Sequence, residues 1–209
     1  MKLRDERLES SGDEFPLKFS DEAREGLRRK GYATCFIEEK SLADLSGEGL
    51  VNIGWVRSKW FSYFEEKARP GEVAYGYRSD NHFIHGGLQN YGQLAESLDE
   101  HVGELGIPGI QGVIEHAAVY PQIQDHYYNN CFGRDFFING RIVQTATRFN
   151  KNESILIGRI GGPEGKEGRA SELSVWRESN KKFKKDFSEE SIWPDVVNLV
   201  RPAPLMKKK

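Results

Sequence analysis

The chain has 209 residues, 37% of them apolar and 30% charged, with a net charge of −2. That length suits one domain with its own core, and the near-neutral charge excludes a global field that would steer nucleic acid or an anionic membrane. Two cysteines, Cys35 and Cys131, are too few for a disulfide scaffold; with a charged N-terminus and no run of ~20 apolar residues, they give the expectation of a cytoplasmic protein without a membrane span.

Residues 1–18 mix charges with Ser and Gly up to Pro16 and are expected to form a flexible lead-in to a domain over 19–200. Ser20 is a suitable N-cap for a helix over Asp21–Lys30, with acids in the first turn and Arg28, Arg29 and Lys30 in the last. Gly31 stands where a helix C-terminus favours a left-handed residue. Tyr32–Ile37 reads as a strand, Ser41–Leu45 as a short helix or turn, and Leu50–Ile53 as a second strand. Trp55–Glu66 is predicted helical, stopped by Arg69, Pro70 and Gly71, and the alternation of Glu72–Tyr77 predicts another strand.

No lysine or arginine occurs between Arg78 and Arg134, and all five histidines lie in that interval. Its ionisable residues are otherwise acids: Asp80, Glu96, Asp99, Glu100, Glu104, Glu115 and Asp125. Asn90 and Gln93 form a capping-box pattern for a helix with Tyr91, Leu94, Leu98, Val102 and Leu105 on one face. Its opposite face is acidic, and His101 falls at the edge of the apolar stripe. Ile110 to Ala118 makes a second apolar stripe interrupted by Pro121, with a strand over Val113–Tyr120 as the alternative.

Beyond Cys131 the period changes. Asp135–Ile138, Asn139-Gly140 and Arg141–Phe149 have the pattern of a hairpin closed by a two-residue turn. Ser154–Ile160 and Ser171–Arg177 extend it into an antiparallel meander of about four strands. A basic segment follows, Ser188 is placed to cap a final helical segment broken by Pro194, and residues 201–209 read as a basic tail. The fold class is α+β: helices and short strands in front, two central helices, then a C-terminal antiparallel β-meander and a peripheral end.

Four clusters could carry chemistry. His82, His85, His116 and His126 with Asp80 and Asp125 offer imidazole and carboxylate ligands for a divalent metal, free of competing basic side chains. Their spacing matches no known metal-site pattern. Tyr120, Tyr127, Tyr128, Asn129 and Asn130 combine an aromatic wall with polar groups, the composition of a small-molecule pocket. Lys181, Lys182, Lys184 and Lys185 around Phe183 suit single-stranded nucleic acid, but Glu178, Asp186, Glu189 and Glu190 dilute the charge. The loop Gly161–Arg169 lacks the Gly-Lys-Ser/Thr ending of a phosphate-binding loop, and no Gly-x-Ser-x-Gly elbow occurs.

Charge segregation without a catalytic motif therefore leads to a non-catalytic binding or protein-interaction domain, with a protein partner or a second copy of the chain as ligand. A metal-dependent enzyme built on the central histidines is the alternative. Nucleic-acid binding through the C-terminal basic-aromatic segment ranks third.

Overall fold

The computed structural model describes residues 18–52, 64–78, 82–84, 91–132, 136, 142–150, 153–158, 173–177 and 195–204. The predicted helix over 55–66 and the basic segment at 181–185 fall largely or wholly outside them. So do Asp80, His85 and the Asn139-Gly140 turn.

Helix α1 spans Asp21–Arg29, and the Ser20 hydroxyl accepts from the Ala23 N–H at 3.1 Å, as its N-cap position predicts. Gly31 follows with φ +82°, where a side chain would be strained and would also strike Arg78. Strand β1 (Tyr32–Ile37) leads to α2 (Leu42–Gly47), whose Ser41 and Asp44 form a reciprocal capping box. Then come β2 (Val51–Asn52), β3 (Gly71–Gly76) and β4 (Phe83–Ile84).

Helix α3 (Tyr91–Glu104) realises the predicted amphipathic segment: Leu94, Leu98 and Val102 are buried, while Glu96, Asp99, Glu100 and Glu104 are exposed. Strand β5 is short, Ile110–Gly112, and a helix, α4 (Val119–Tyr127), follows where a strand over 113–120 was the alternative. Pro121 does not interrupt α4. It sits in the first turn, where backbone N–H groups have no partner within the helix, so its missing donor costs nothing there. A π-helical turn (Tyr128–Phe132) ends the segment.

The C-terminal part is antiparallel as predicted. Strands β6 (Ile142–Asn150), β7 (Glu153–Gly158) and β8 (Leu173–Arg177) run as a meander, and β2 adds to β8 in parallel.

The end of the chain departs from expectation. Where a peripheral end and a tail from 201 were predicted, residues 196–202 form β9 (Val196–Val197) and β10 (Leu199–Pro202), while the helical segment predicted between Ser188 and Pro194 lies outside the described residues. Strand β10 is internal to a sheet of order β1-β3-β10-β5, antiparallel throughout. The basic tail therefore begins beyond the strand that holds Arg201 and Pro202. Val196, Val197, Leu199 and Val200 are all fully buried, a run too short and too flanked by polar residues to stand out in sequence.

This sheet organises the core. On one face Tyr32, Ala74 and Val200 meet Ala23 and Leu27 of α1 and Leu94, Leu98 and Val102 of α3. On the other, Cys35, Ile37, Val73, Tyr75 and Leu199 meet Leu42 and Leu45 of α2, Val119, Tyr120 and Ile123 of α4, and Val143 and Ile157 of the meander. Helices thus cover both faces of a central antiparallel sheet, and the second sheet backs one of them. No described helix is long and apolar enough to cross a membrane.

Candidate functional site

The described central histidines, His82, His101, His116 and His126, do not converge as a set. His82 and His126 approach one aromatic cluster. The His126 Nδ1 is 2.8 Å from the Tyr75 hydroxyl, and the ring of Tyr75 stands edge-on to Phe136 at 5.2 Å. His82 lies against Phe136 at 5.1 Å and Tyr127 at 6.0 Å. Burial pushes the His126 pKa below the usual imidazole range, partly opposed by neighbouring Asp125. The ring is therefore held neutral, and the short contact to Tyr75 fixes its orientation.

His116 is turned elsewhere. Its Nε2 lies 3.3 Å from Glu66, and its Nδ1 accepts from the Ala118 N–H at 3.2 Å. Asp125 accepts from the Asn129 amide and Asn130 donates to the His126 carbonyl, both local contacts on the surface of α4 and the turn after it. Among the described residues no group of three or more His, Cys, Asp or Glu side chains is placed to hold a metal ion. Of the predicted pocket residues, Tyr120 and Tyr127 are buried, Tyr128 is half-buried, and Asn129 and Asn130 are exposed. The aromatic side chains here fill core, with Tyr75 at their centre.

A second polar centre was not legible in the sequence. Arg201, 2% exposed, donates through Nε to Glu115 and through Nη2 to the Arg69 carbonyl at 3.0 Å. The pair joins residues 86 positions apart. Arg69 lies close enough that its own burial and the Arg201 charge lower its pKa, while Glu115 acts in the opposite sense. The Glu115 N–H donates to the Tyr120 hydroxyl at 3.2 Å, and that hydroxyl donates to the Gln144 carbonyl at 3.3 Å. Thr147 accepts from the Ala117 N–H. The cluster ties β10, the segment before α4 and β6 together, and every polar group named in it has its partner inside the protein.

A third network lies around Asn198, between β9 and β10. Its N–H donates to the His82 carbonyl, its carbonyl accepts from Gly76 N–H, and its amide is 2.8 Å from His101 Nε2. His101 therefore bonds into the polar join between α3 and the sheet, beside the stripe where it was expected to pack. Tyr32 points at the same asparagine, and burial raises its hydroxyl pKa to about 12. All three centres are built into the packing between elements, and each is consistent with a structural role.

The surface offers a different kind of site. Strand β1 is the edge of the central sheet, six residues long, and its register with β3 is unbroken from Tyr32 to Ile37. The Tyr77 N–H donates to the Gly31 carbonyl at 3.1 Å, which sets the phase of the ladder. Ala33, Cys35 and Ile37 thus direct their backbone groups towards β3, while Tyr32, Thr34 and Phe36 direct theirs outwards. No described strand pairs on that outer side. Phe36 is 51% exposed, the one large hydrophobic side chain among the described residues that is open to solvent.

Natural edges are usually blunted by lysine, proline, a bulge or a covering element. Among the described residues β1 has none of these along its length. Only its end is covered: the Gln122 side chain brackets Glu38, accepting from its N–H at 2.8 Å and donating to its carbonyl at 3.2 Å. The opposite edge, β5, is three residues long and follows Pro108 and Gly109. Beside β1, a cleft of about 440 Å³ is lined by Arg24, Arg28, Tyr32, Thr34 and Tyr77.

No family model, curated protein or solved structure matches the chain.

Proposed function

We propose that the protein is a non-catalytic interaction domain that binds a protein partner by strand addition at β1. The observation that carries this reading is the outward row of backbone donors and acceptors at Tyr32, Thr34 and Phe36, with an exposed aromatic side chain at its end. Main-chain hydrogen bonds supply affinity in this mode of recognition, and pockets for alternate side chains supply specificity. The cleft beside Tyr32 and Thr34 fits that second role. His126, His116 and Glu115, by contrast, are engaged by partners within the fold.

A random-peptide selection tests the reading, with wild-type protein as bait and the Thr34→Pro variant for counter-selection. Thr34 directs its N–H away from β3, so proline there removes an outward donor and leaves the β1–β3 ladder intact. The expected result is extended peptides that shift the amide resonances of Thr34 and Phe36 and fail to bind Thr34→Pro. Peptides that bind both proteins equally, or that perturb only distant residues, refute the proposal.

A further inference from the structure

We infer that the strand added to β1 is β1 of a second copy of the chain, in an antiparallel pairing centred on Thr34; this rests on the strand-addition reading above. A two-fold axis through Thr34 pairs it with its own counterpart and pairs Tyr32 with Phe36 of the second copy. All three are outward-directed residues, so every pairing in that register is a hydrogen-bonded one, giving about six main-chain bonds. A one-residue slip would oppose outward groups with inward ones and lose them all.

Side chains favour the same register. Directly paired residues in a continuous sheet share a face, so Phe36 of each copy lies beside Tyr32 of the other. Tyr32 lines the cleft between α1 and β1 with Asp21, Arg24, Glu25, Arg28 and Tyr77, which places the exposed phenyl ring beside a cleft of mixed aromatic and charged side chains. Helix α1 shares a core cluster with Tyr32 of β1, Ala74 of β3 and Val200 of β10, and Arg24 pairs with Glu72 of β3, so the helix bridges β1 and its inner neighbours.

Charge favours it as well. The residues entering β1 are Arg28, Arg29 and Lys30, and those leaving it are Glu38, Glu39 and Lys40; Lys40 is paired with Glu38 and Glu48, which leaves the exit net acidic. Arg28 and Arg29 share one carboxylate, Glu25, and their side chains are 72% and 74% exposed, so the entry to the strand is net basic. Antiparallel pairing brings the basic entry of each copy beside the acidic exit of the other, at both ends of the joined strands. Parallel pairing, or stacking on another face, would not. The polarity of this one strand is thus self-complementary, which is the property an isologous interface requires.

The test combines mass in solution with residue-level amide exchange on the full chain. Sedimentation from about 1 µM to about 1 mM covers the range of a small edge-to-edge interface. Wild-type protein is expected to pass from monomer to dimer, more weakly at high salt. The amides of Tyr32, Thr34 and Phe36 should gain protection with concentration, while those of Ala33, Cys35 and Ile37 stay protected throughout. Thr34→Pro should remain monomeric at every concentration. Phe36→Thr, which keeps a β-favouring residue and disturbs no buried contact, should weaken association about tenfold. A wild-type monomer up to 1 mM would overturn the self-pairing, and if selected peptides still occupied the edge, strand addition would stand with another partner. A dimer without added protection at Thr34 and Phe36, or one unaffected by Thr34→Pro, would overturn it too.

Discussion

Replacing Arg201 by methionine removes the charge that the buried Glu115 is paired with and keeps the length of the side chain. The Arg201 side chain is 2% exposed and that of Glu115 is 11% exposed, so water cannot replace the lost donor well. Breaking one half of a buried ion pair costs about 3–5 kcal/mol, because it leaves an uncompensated charge behind. The Arg69 and Pro70 carbonyls lose their guanidinium donors in the same step. One effect opposes the loss: Arg69 is near enough to feel Glu115, and with Arg201 gone it is relieved of a like charge. The low end, about 3 kcal/mol, is therefore expected, or about 6–12 °C in Tm for a chain of this size. Urea unfolding followed by circular dichroism measures it. The double variant Arg201→Met with Glu115→Gln should recover at least half of the loss, since it removes the orphaned charge. A single variant within 1 kcal/mol of wild type, or a double variant no better than the single, would refute the placement of this pair in the core.

Three further outcomes are expected. Gly112→Ala places a Cβ 2.9 Å from Leu98 Cγ and 3.1 Å from its carbonyl oxygen, so α3 must lift off β5, lowering stability by about 1–3 kcal/mol; equal unfolding midpoints would contradict the contact. Tyr120→Phe removes a hydroxyl that accepts from Glu115 N–H and donates to the Gln144 carbonyl, with a cost of about 1–3 kcal/mol by the same measurement. His126, whose pKa is lowered by burial, binds its proton less readily folded than unfolded. Its contribution is therefore intact above the ordinary imidazole pKa of about 6.5 and is lost as the pH falls from there through the lower folded value. Urea midpoints of wild type should decline across that window more steeply than those of His126→Gln; parallel curves would exclude His126 as a source of the pH dependence.

Much of the fold was legible because local signals agreed with the packing. Ser20 and Gly31 bracket α1 by their backbone chemistry alone, and the stripe Leu94, Leu98, Val102 declares the buried face of α3. What failed was of another kind. Pro121 reads as a breaker, yet only its position in the turn decides whether its missing N–H matters. Val196–Pro202 carries too few residues to show a period, and its strand character comes wholly from neighbours far away in sequence. The candidate sites show the same division. Residue types near one another in sequence, such as Asp125 and His126, proved to be local neighbours, while Arg201 found Glu115 across most of the chain.

That last pair gives the absence of lysine and arginine between Arg78 and Arg134 a physical meaning. The interval supplies one helix to each face of the central sheet, α3 beside α1 on one face and α4 beside α2 on the other. A long cationic chain on the inner sides of these helices would need a buried counter-ion of its own. Instead the interval contributes carboxylate and aromatic partners, and the cations come from outside it: Arg69 before β3 and Arg201 in β10. The acids that remain on α3 point to solvent. Charge segregation along the chain is thus already used within the fold at Glu115, which removes it as a sufficient argument for an acidic docking surface. An interaction site must then be sought where groups are left open, and among the described residues that leads back to the outer edge of β1, where Thr34 and Phe36 turn their backbone to water.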